Sequence, residues 1–202
     1  MDAWRDRFNR ISGKTRITVC RIFVHLAGSE VAPLLGVLNS AARQAIDSED
    51  EIEGSNLDIL GEGLVDICQS LLQLDTYWQA AANEGDVFYE EGEAEAYVTE
   101  LFTDSAQRYG SSLGNEAAEE PLTIPITQNV VVMITVAYEG EVRALETDLA
   151  SLGALRAGLK AIINLHYDRK LRAIQVHYSP AQFGDELTDD ELVLHYPELI
   201  PL

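Results

Sequence analysis

Apolar side chains recur along this chain in two periods, and the switch between them divides it into elements. From Asn129 to Ala137 the residues Val130, Val131, Val132, Met133, Ile134 and Val136 are apolar at both parities. Neither face of a strand here tolerates water, so the run predicts a central strand covered on both sides. Four valines and an isoleucine in seven residues argue against the alternative of a buried helix. Lys14 to Ala27 predicts another strand, with helix after Val19 as the alternative. Its Ile17, Val19 and Phe23 share a parity with Arg21 and His25, so that face is expected to meet solvent at one end. Leu171 to Tyr178 predicts the last strand.

Elsewhere the period is helical. Val31, Leu34, Leu35, Leu38, Ala41, Ala42 and Ala45 mark a helix to about Ile46, with Ser29 as its N-cap and Pro33 in its first turn. Leu57, Leu60, Leu64, Ile67, Leu71, Leu74 and Trp78 alternate steps of three and four, which extends a second helix through Trp78. Its default partner is a helix of the same chain, and a homodimeric seam is the alternative. After a break at Asn83–Asp86 a third helix is expected from Val87 to Tyr109. Thr147 is a suitable N-cap for a fourth, carrying Leu149, Leu152, Leu155, Leu159, Ile162 and Ile163. Thr188 followed by Asp189-Asp190-Glu191 caps a last turn that Pro197 ends.

The expected fold is α+β: a three- to four-stranded sheet with strands near 15–26, 129–138 and 171–178, packed with four main helices. Strand, helix and strand in the last third predict a β-α-β unit, with a right-handed crossover if the strands are parallel. The expected organisation is a basic amphipathic segment at 1–13 and one α+β domain at 14–202. That domain carries an acidic helical insertion or subdomain at 47–110 and a Ser/Gly/Ala/Glu-rich linker at 111–121.

Charge changes this picture. Of 202 residues, 34 are acidic and 14 basic, for a net charge of −20. Residues 1–43 hold seven bases and three acids, whereas residues 44–142 hold 22 acids and one base, Arg108. So acidic a middle repels phosphates, and nucleic acid is not an expected partner. The Glu residues 90, 91, 93, 95 and 100 (Glu90, Glu91, Glu93, Glu95 and Glu100) form a candidate acidic interaction face, which calls for a protein partner with a basic surface. Trp4, Phe8 and Ile11 lie on one stripe flanked by Arg5, Arg7 and Arg10, a candidate contact with a partner or an anionic membrane surface; docking on the chain's own core is the alternative.

Candidate chemistry is sparse. Cys20 and Cys68 lie in apolar patterns without metal spacing and are expected to be buried free thiols in a reducing compartment. The glutamates of the third helix lack an accompanying Glu-x-x-His, so they are read as a solvated face. The pairs His166-Tyr167, His177-Tyr178 and His195-Tyr196, with Glu191 four residues before His195, invite a cation site, but no metal is expected. The chain has no Gly-x-Ser-x-Gly elbow, Walker loop or Gly-x-Gly-x-x-Gly, so no catalytic residue and no cofactor is assigned. An enzyme with a site at the strand ends near Gly140 and Ser179 is the alternative to a non-catalytic reading. No apolar run approaches the roughly 18 residues a membrane span needs, and no hydrophobic signal region opens the chain, so a cytoplasmic protein is expected.

Leu149, Leu152-Gly153, Tyr178-Ser179-Pro180, and Leu187-Thr188-Asp189-Asp190-Glu191-Leu192 through Tyr196-Pro197-Glu198-Leu199 to Leu202 carry a resemblance. With the Thr18–Arg43 passage and Tyr77-Trp78, they resemble the protein family of unknown function numbered fifteen-seventeen, found in cyanobacteria and plastid-bearing organisms. Tyr178 stands where that family usually has Trp. Many members carry a Gly-rich or membrane-spanning leader, whereas this sequence begins almost at the domain, so anchoring by a span is not an expectation carried over from the family. The resemblance implies a photosynthetic source, a non-enzymatic adaptor or assembly role, and a location at the cytoplasmic face of the thylakoid membrane. It implies no catalytic residues.

Overall fold

A computed structural model describes residues 15–47, 55–110, 129–180 and 187–202. The segment 1–13 with Trp4, Arg5, Arg7, Phe8 and Arg10, and the expected linker 111–121, lie outside the described residues.

Five strands form one antiparallel sheet: β1 (Ile17–Ala27), β2 (Trp78–Phe88), β3 (Asn129–Glu139), β4 (Leu171–Ser179) and β5 (Ile200–Pro201), in the order β4-β3-β1-β2-β5. The helices are α1 (Ala32–Asp47), α2 (Ser55–Gln73), α3 (Glu91–Gly110), α4 (Leu152–Tyr167) and α5 (Asp189–His195). The α+β class is as expected, but the sheet is larger. The strand-helix-strand order of the last third is present, yet β3 and β4 are antiparallel neighbours, so no parallel crossover exists. The valine-rich run is β3, between β4 and β1, and Val130 through Tyr138 are all buried.

Sequence periodicity missed two strands, the short β5 and the long β2. The leucine stripe of α2 stops at Gln73, and after a 3-10 turn at Asp75–Tyr77 the chain enters β2 at Trp78. Ala80, Ala81 and Ala82 favour helix in isolation. Here they sit opposite His25, Val24 and Phe23 of β1, where tertiary pairing overrides a weak local preference. Gly85 is required by β1 itself: a Cβ there would lie 2.3 Å from the Val19 carbonyl oxygen.

Side chains alternate between two faces. On the first, Cys20, Ile22, Val24 and Leu26 of β1 join Val132, Ile134, Val136 and Tyr138 of β3 in the main core. Helices α1, α2 and α4 cover it with Leu34, Leu35, Leu38, Leu64, Ile67, Leu71, Leu159 and Ile162. Helix α2 lies between α1 and α4. Its Gly63 approaches Ala41 of α1, and its Gly61 sits so close to α4 that a Cβ would fall 2.1 Å from His166 Nδ1. The described part of the stretch 47–110 thus spreads over the fold: α2 lies on the first face, β2 in the sheet and α3 on the second face.

Helix α3 crosses the second face in contact with all four long strands. Helix α5 and its flanks cover the rest, with Leu187, Leu192 and Tyr196 on Phe23, Val131 and Met133. α5 is held by the expected capping box, in which Thr188 and Glu191 satisfy each other's backbone N–H groups. The cap of α4 differs from expectation: Ser151 accepts from Ala154 N, while Thr147 stays in the preceding loop. That loop is fixed by Asn83, whose side chain donates to Thr147 O at 3.0 Å and accepts from Leu149 N at 2.8 Å.

Candidate interaction site at the acidic edge of the sheet

The β1 face that periodicity exposes to solvent is instead covered, and Arg21 is only 2% exposed. The register aligns Glu84, Arg21, Thr135 and Gln175 in one polar row across β2, β1, β3 and β4. Small apolar clusters lie on either side of this row, one around Val19, Leu101 and Ala137 and one around Phe23, Met133 and Tyr196.

A buried guanidinium needs charge and hydrogen-bond partners, and the elements around it supply both. Arg21 Nε donates to Glu84 Oε1 at 2.8 Å, and Nη1 donates to Leu101 O at 3.0 Å and Ser105 Oγ at 2.8 Å. Asp104 Oδ2 lies 2.7 Å from the same Nη1. Asp104 also accepts from Arg108 Nη2 at 3.0 Å, while Arg108 Nη1 donates to Glu198 Oε1 and His195 O, each at 2.6 Å. Both guanidinium groups lie over the Phe23 ring, at 4.8 and 5.2 Å from its centroid. Partial burial alone raises the Asp104 carboxyl, but the hydrogen bond from Arg21 and the charges of Arg108 and Arg21 hold it below the usual carboxylate range. The network ties α3 and the C-terminal segment to the sheet.

The carboxylates of this network line two adjoining hollows at the outer edge of β2. The larger, about 620 Å3, has Glu84, Asp86, Glu146, Asp148 and Glu198 in its walls. The smaller, about 410 Å3, shares Glu84 and Glu198 and adds Glu100 and Asp104. Of the seven carboxylates in these walls, Glu84, Asp104 and Glu198 pair with Arg21 and Arg108, and Glu146 pairs with Arg16. Glu146 belongs to a fixed wall: it pairs with Arg16 at 2.7 Å and accepts from Val142 N. Burial raises its carboxyl, and the Arg16 hydrogen bond outweighs that to leave it below its ordinary range.

The expected acidic residues are divided by the fold. Glu90, Glu91, Glu93, Glu95 and Glu100 are all exposed. Of these, Glu100 reaches the hollow beside β2, whereas Glu91 and Glu95 line a separate hollow of about 620 Å3 with Glu139 and Arg172. The residues that sequence reasoning missed are Arg21, Asp104, Arg108 and Glu198. Two of them carried a signal, since Arg21 interrupts an apolar strand and Arg108 is the one base among residues 44–142; Asp104 and Glu198 carried none.

Other candidate chemistry is dispersed. Gly140 and Ser179 terminate antiparallel strands at opposite ends of the sheet, so they do not form one site. Cys20 and Cys68 are buried and free, as expected; burial, reinforced by Glu146 and Glu84, pushes the Cys20 thiol up to about 12, and burial raises Cys68 as well. Glu191 is used in the α5 capping box. Among the described residues no His, Cys, Asp and Glu group is arranged to hold a metal ion, and no helix is long and apolar enough to cross a membrane.

The family model described as "Protein of unknown function (DUF1517)" matches residues 16–202. No curated protein and no solved structure matches the chain.

Proposed function

The chain belongs to the DUF1517 family of proteins of unknown function, and we propose that it acts as a non-catalytic interaction protein whose acidic second face receives a basic protein partner. One observation carries this reading. Helix α3 presents exposed Glu91, Glu93, Glu95 and Glu100 outward, while Arg108, its one base, is directed inward to Asp104 and Glu198. The helix thus spends its positive charge on holding the fold and keeps an outer surface of one sign. Such a surface speeds encounter with an oppositely charged partner and repels others. With exposed groups, the attraction weakens as salt shortens the screening length to about 8 Å at physiological ionic strength.

Co-purification of the tagged full chain from its source cells, at low and at high salt, tests the proposal. The expected result is a basic protein recovered at low salt and lost at high salt. Identical recovery at both removes the electrostatic basis of the reading.

A further inference from the structure

The edge of β2 beside the acidic hollow is a strand without a partner beyond Ala81 among the described residues. β5 pairs with Ala80 and Ala81 only, and Leu202 N donates to Gln79 O at 3.0 Å. The directions of the remaining backbone groups follow from the ladder. Gly140 N donates to Arg16 O at 2.9 Å, so even-numbered residues of β1 bond to β3 and odd-numbered ones to β2. Their β2 partners are even-numbered, because Arg21 faces Glu84 and Val19 faces Asp86. The odd-numbered residues Asn83, Gly85 and Val87 therefore direct N–H and C=O groups away from the sheet.

From these observations we infer that this edge binds an extended basic peptide segment, which adds to the sheet as a strand alongside Asn83–Val87. The inference rests on the proposed acidic-surface function and names the site and mode of binding. Two features of the side chains select the occupant. Exposed backbone groups along an edge accept any extended chain, so selection falls to side chains. Glu84 and Asp86 stand two residues apart on one face of β2, so an added strand with bases at alternate positions sets them beside these carboxylates. On the other face Asn83, Gly85 and Val87 line the larger hollow, which an apolar residue of the added strand enters. The specified pattern is basic, apolar, basic.

The same features reject a second copy of this chain. Its own β2 edge would set Glu84 and Asp86 against like charges, in a molecule of net charge −20. Asp86 further limits indiscriminate pairing by accepting the outward Val87 N–H at 2.7 Å. Asn83 and Gly85 are thus the positions at which new backbone hydrogen bonds form.

The test uses an eight-residue peptide of alternating lysine and valine with blocked termini. Its control is the same peptide N-methylated at alternate residues, which keeps the charge and removes the edge-facing donors. The full chain is titrated with each while backbone amide resonances and amide exchange are followed. The expected result is slowed exchange at Asn83 and Gly85, with affinity at least tenfold lower for the N-methylated peptide and for the Asp86→Lys variant. Equal binding of both peptides overturns strand addition but leaves the acidic-surface function standing, since charge alone then suffices. Failure of the unmethylated peptide to bind also overturns it; salt-sensitive co-purification reports on the function separately.

Discussion

The two faces of the sheet are built from the same four long strands, yet they solve burial in opposite ways. On the face covered by α1, α2 and α4 the core is continuous and apolar, running from Trp78 through Ile22 and Ile134 to Leu171. On the face covered by α3 and α5 the apolar contacts fall into two small clusters, with the row Glu84–Arg21–Thr135–Gln175 between them. Thr135 Oγ1 and Gln175 Oε1 in that row are buried without a hydrogen-bond partner among the described residues, a cost of about 1–3 kcal/mol for each such group. The first face carries the stability of the fold. The second is a thinner layer held by ion pairs, and it presents the acidic surface.

Adjacent residues of β3 give the largest contrast. Ile134 and Met133 are both fully buried but point to opposite faces. Ile134→Ala is expected to cost about 2–5 kcal/mol in urea denaturation. Met133→Ala is expected to cost less, because its smaller cluster can relax into the space. Equal costs would erase the distinction between the faces.

Removing the centre of the polar row comes next. Arg21→Met leaves Glu84 and Asp104 without their buried partner, but these carboxylates are nearly half exposed and rehydrate, so the expected loss is about 1–3 kcal/mol. Amide exchange should accelerate in α3 well before α2. Uniform acceleration across both helices would show that the faces are not separable. Arg21→Lys, which keeps the charge but not the planar fork, should recover only part of the stability.

A smaller effect is expected at the edge of the second face. Thr188→Ala opens the capping box of α5 and should lower stability by about 0.5–2 kcal/mol, with Thr188→Ser close to the wild type. Equal loss in both variants would place the effect in packing instead of the cap.

Acidification provides the gentlest test. Burial lowers His25 and His177 below 6.5, the latter aided by the charge of Arg21, so in this window the folded state holds fewer protons than the unfolded one. Stability should decline as pH falls below 6.5. Asp104 and Glu146, both held below their ordinary values, contribute stability that is present above the unfolded carboxylate range near 4 and is lost as pH falls through their folded values. The expected profile is a shallow fall followed by a steeper one. In His177→Phe the shallow part should shrink; an unchanged profile would remove His177 as a contributor.

The dry face was largely legible in the sequence because burial there imposes periodicity. The all-apolar β3, the leucine stripe of α2 and the Leu155–Leu159–Ile162 face of α4 each announce their element. β2 was not legible: its three alanines and flanking polar residues carry no strand pattern, and its pairing is dictated by β1. The exposed glutamates of α3 were visible as charge. Their division between two hollows was not, since it depends on the angle at which α3 crosses the sheet. Arg21 misled for a related reason. A charged residue in a strand predicts solvent, and only the arrival of Asp104 from a helix far along the chain makes its burial tolerable.

If position on the second face, beyond net charge, determines partner binding, reversing charge there and on the opposite face should have different effects. Two triple charge reversals test it most directly: Glu91→Lys/Glu93→Lys/Glu95→Lys on α3, and Asp58→Lys/Glu62→Lys/Asp66→Lys on the exposed side of α2. Both change the net charge by the same amount. Affinity for a lysine-rich peptide is measured for each by titration at low salt. The expected result is a loss of at least tenfold for the α3 variant and little change beyond nonspecific attraction for the α2 variant. Equal losses in the two would contradict it.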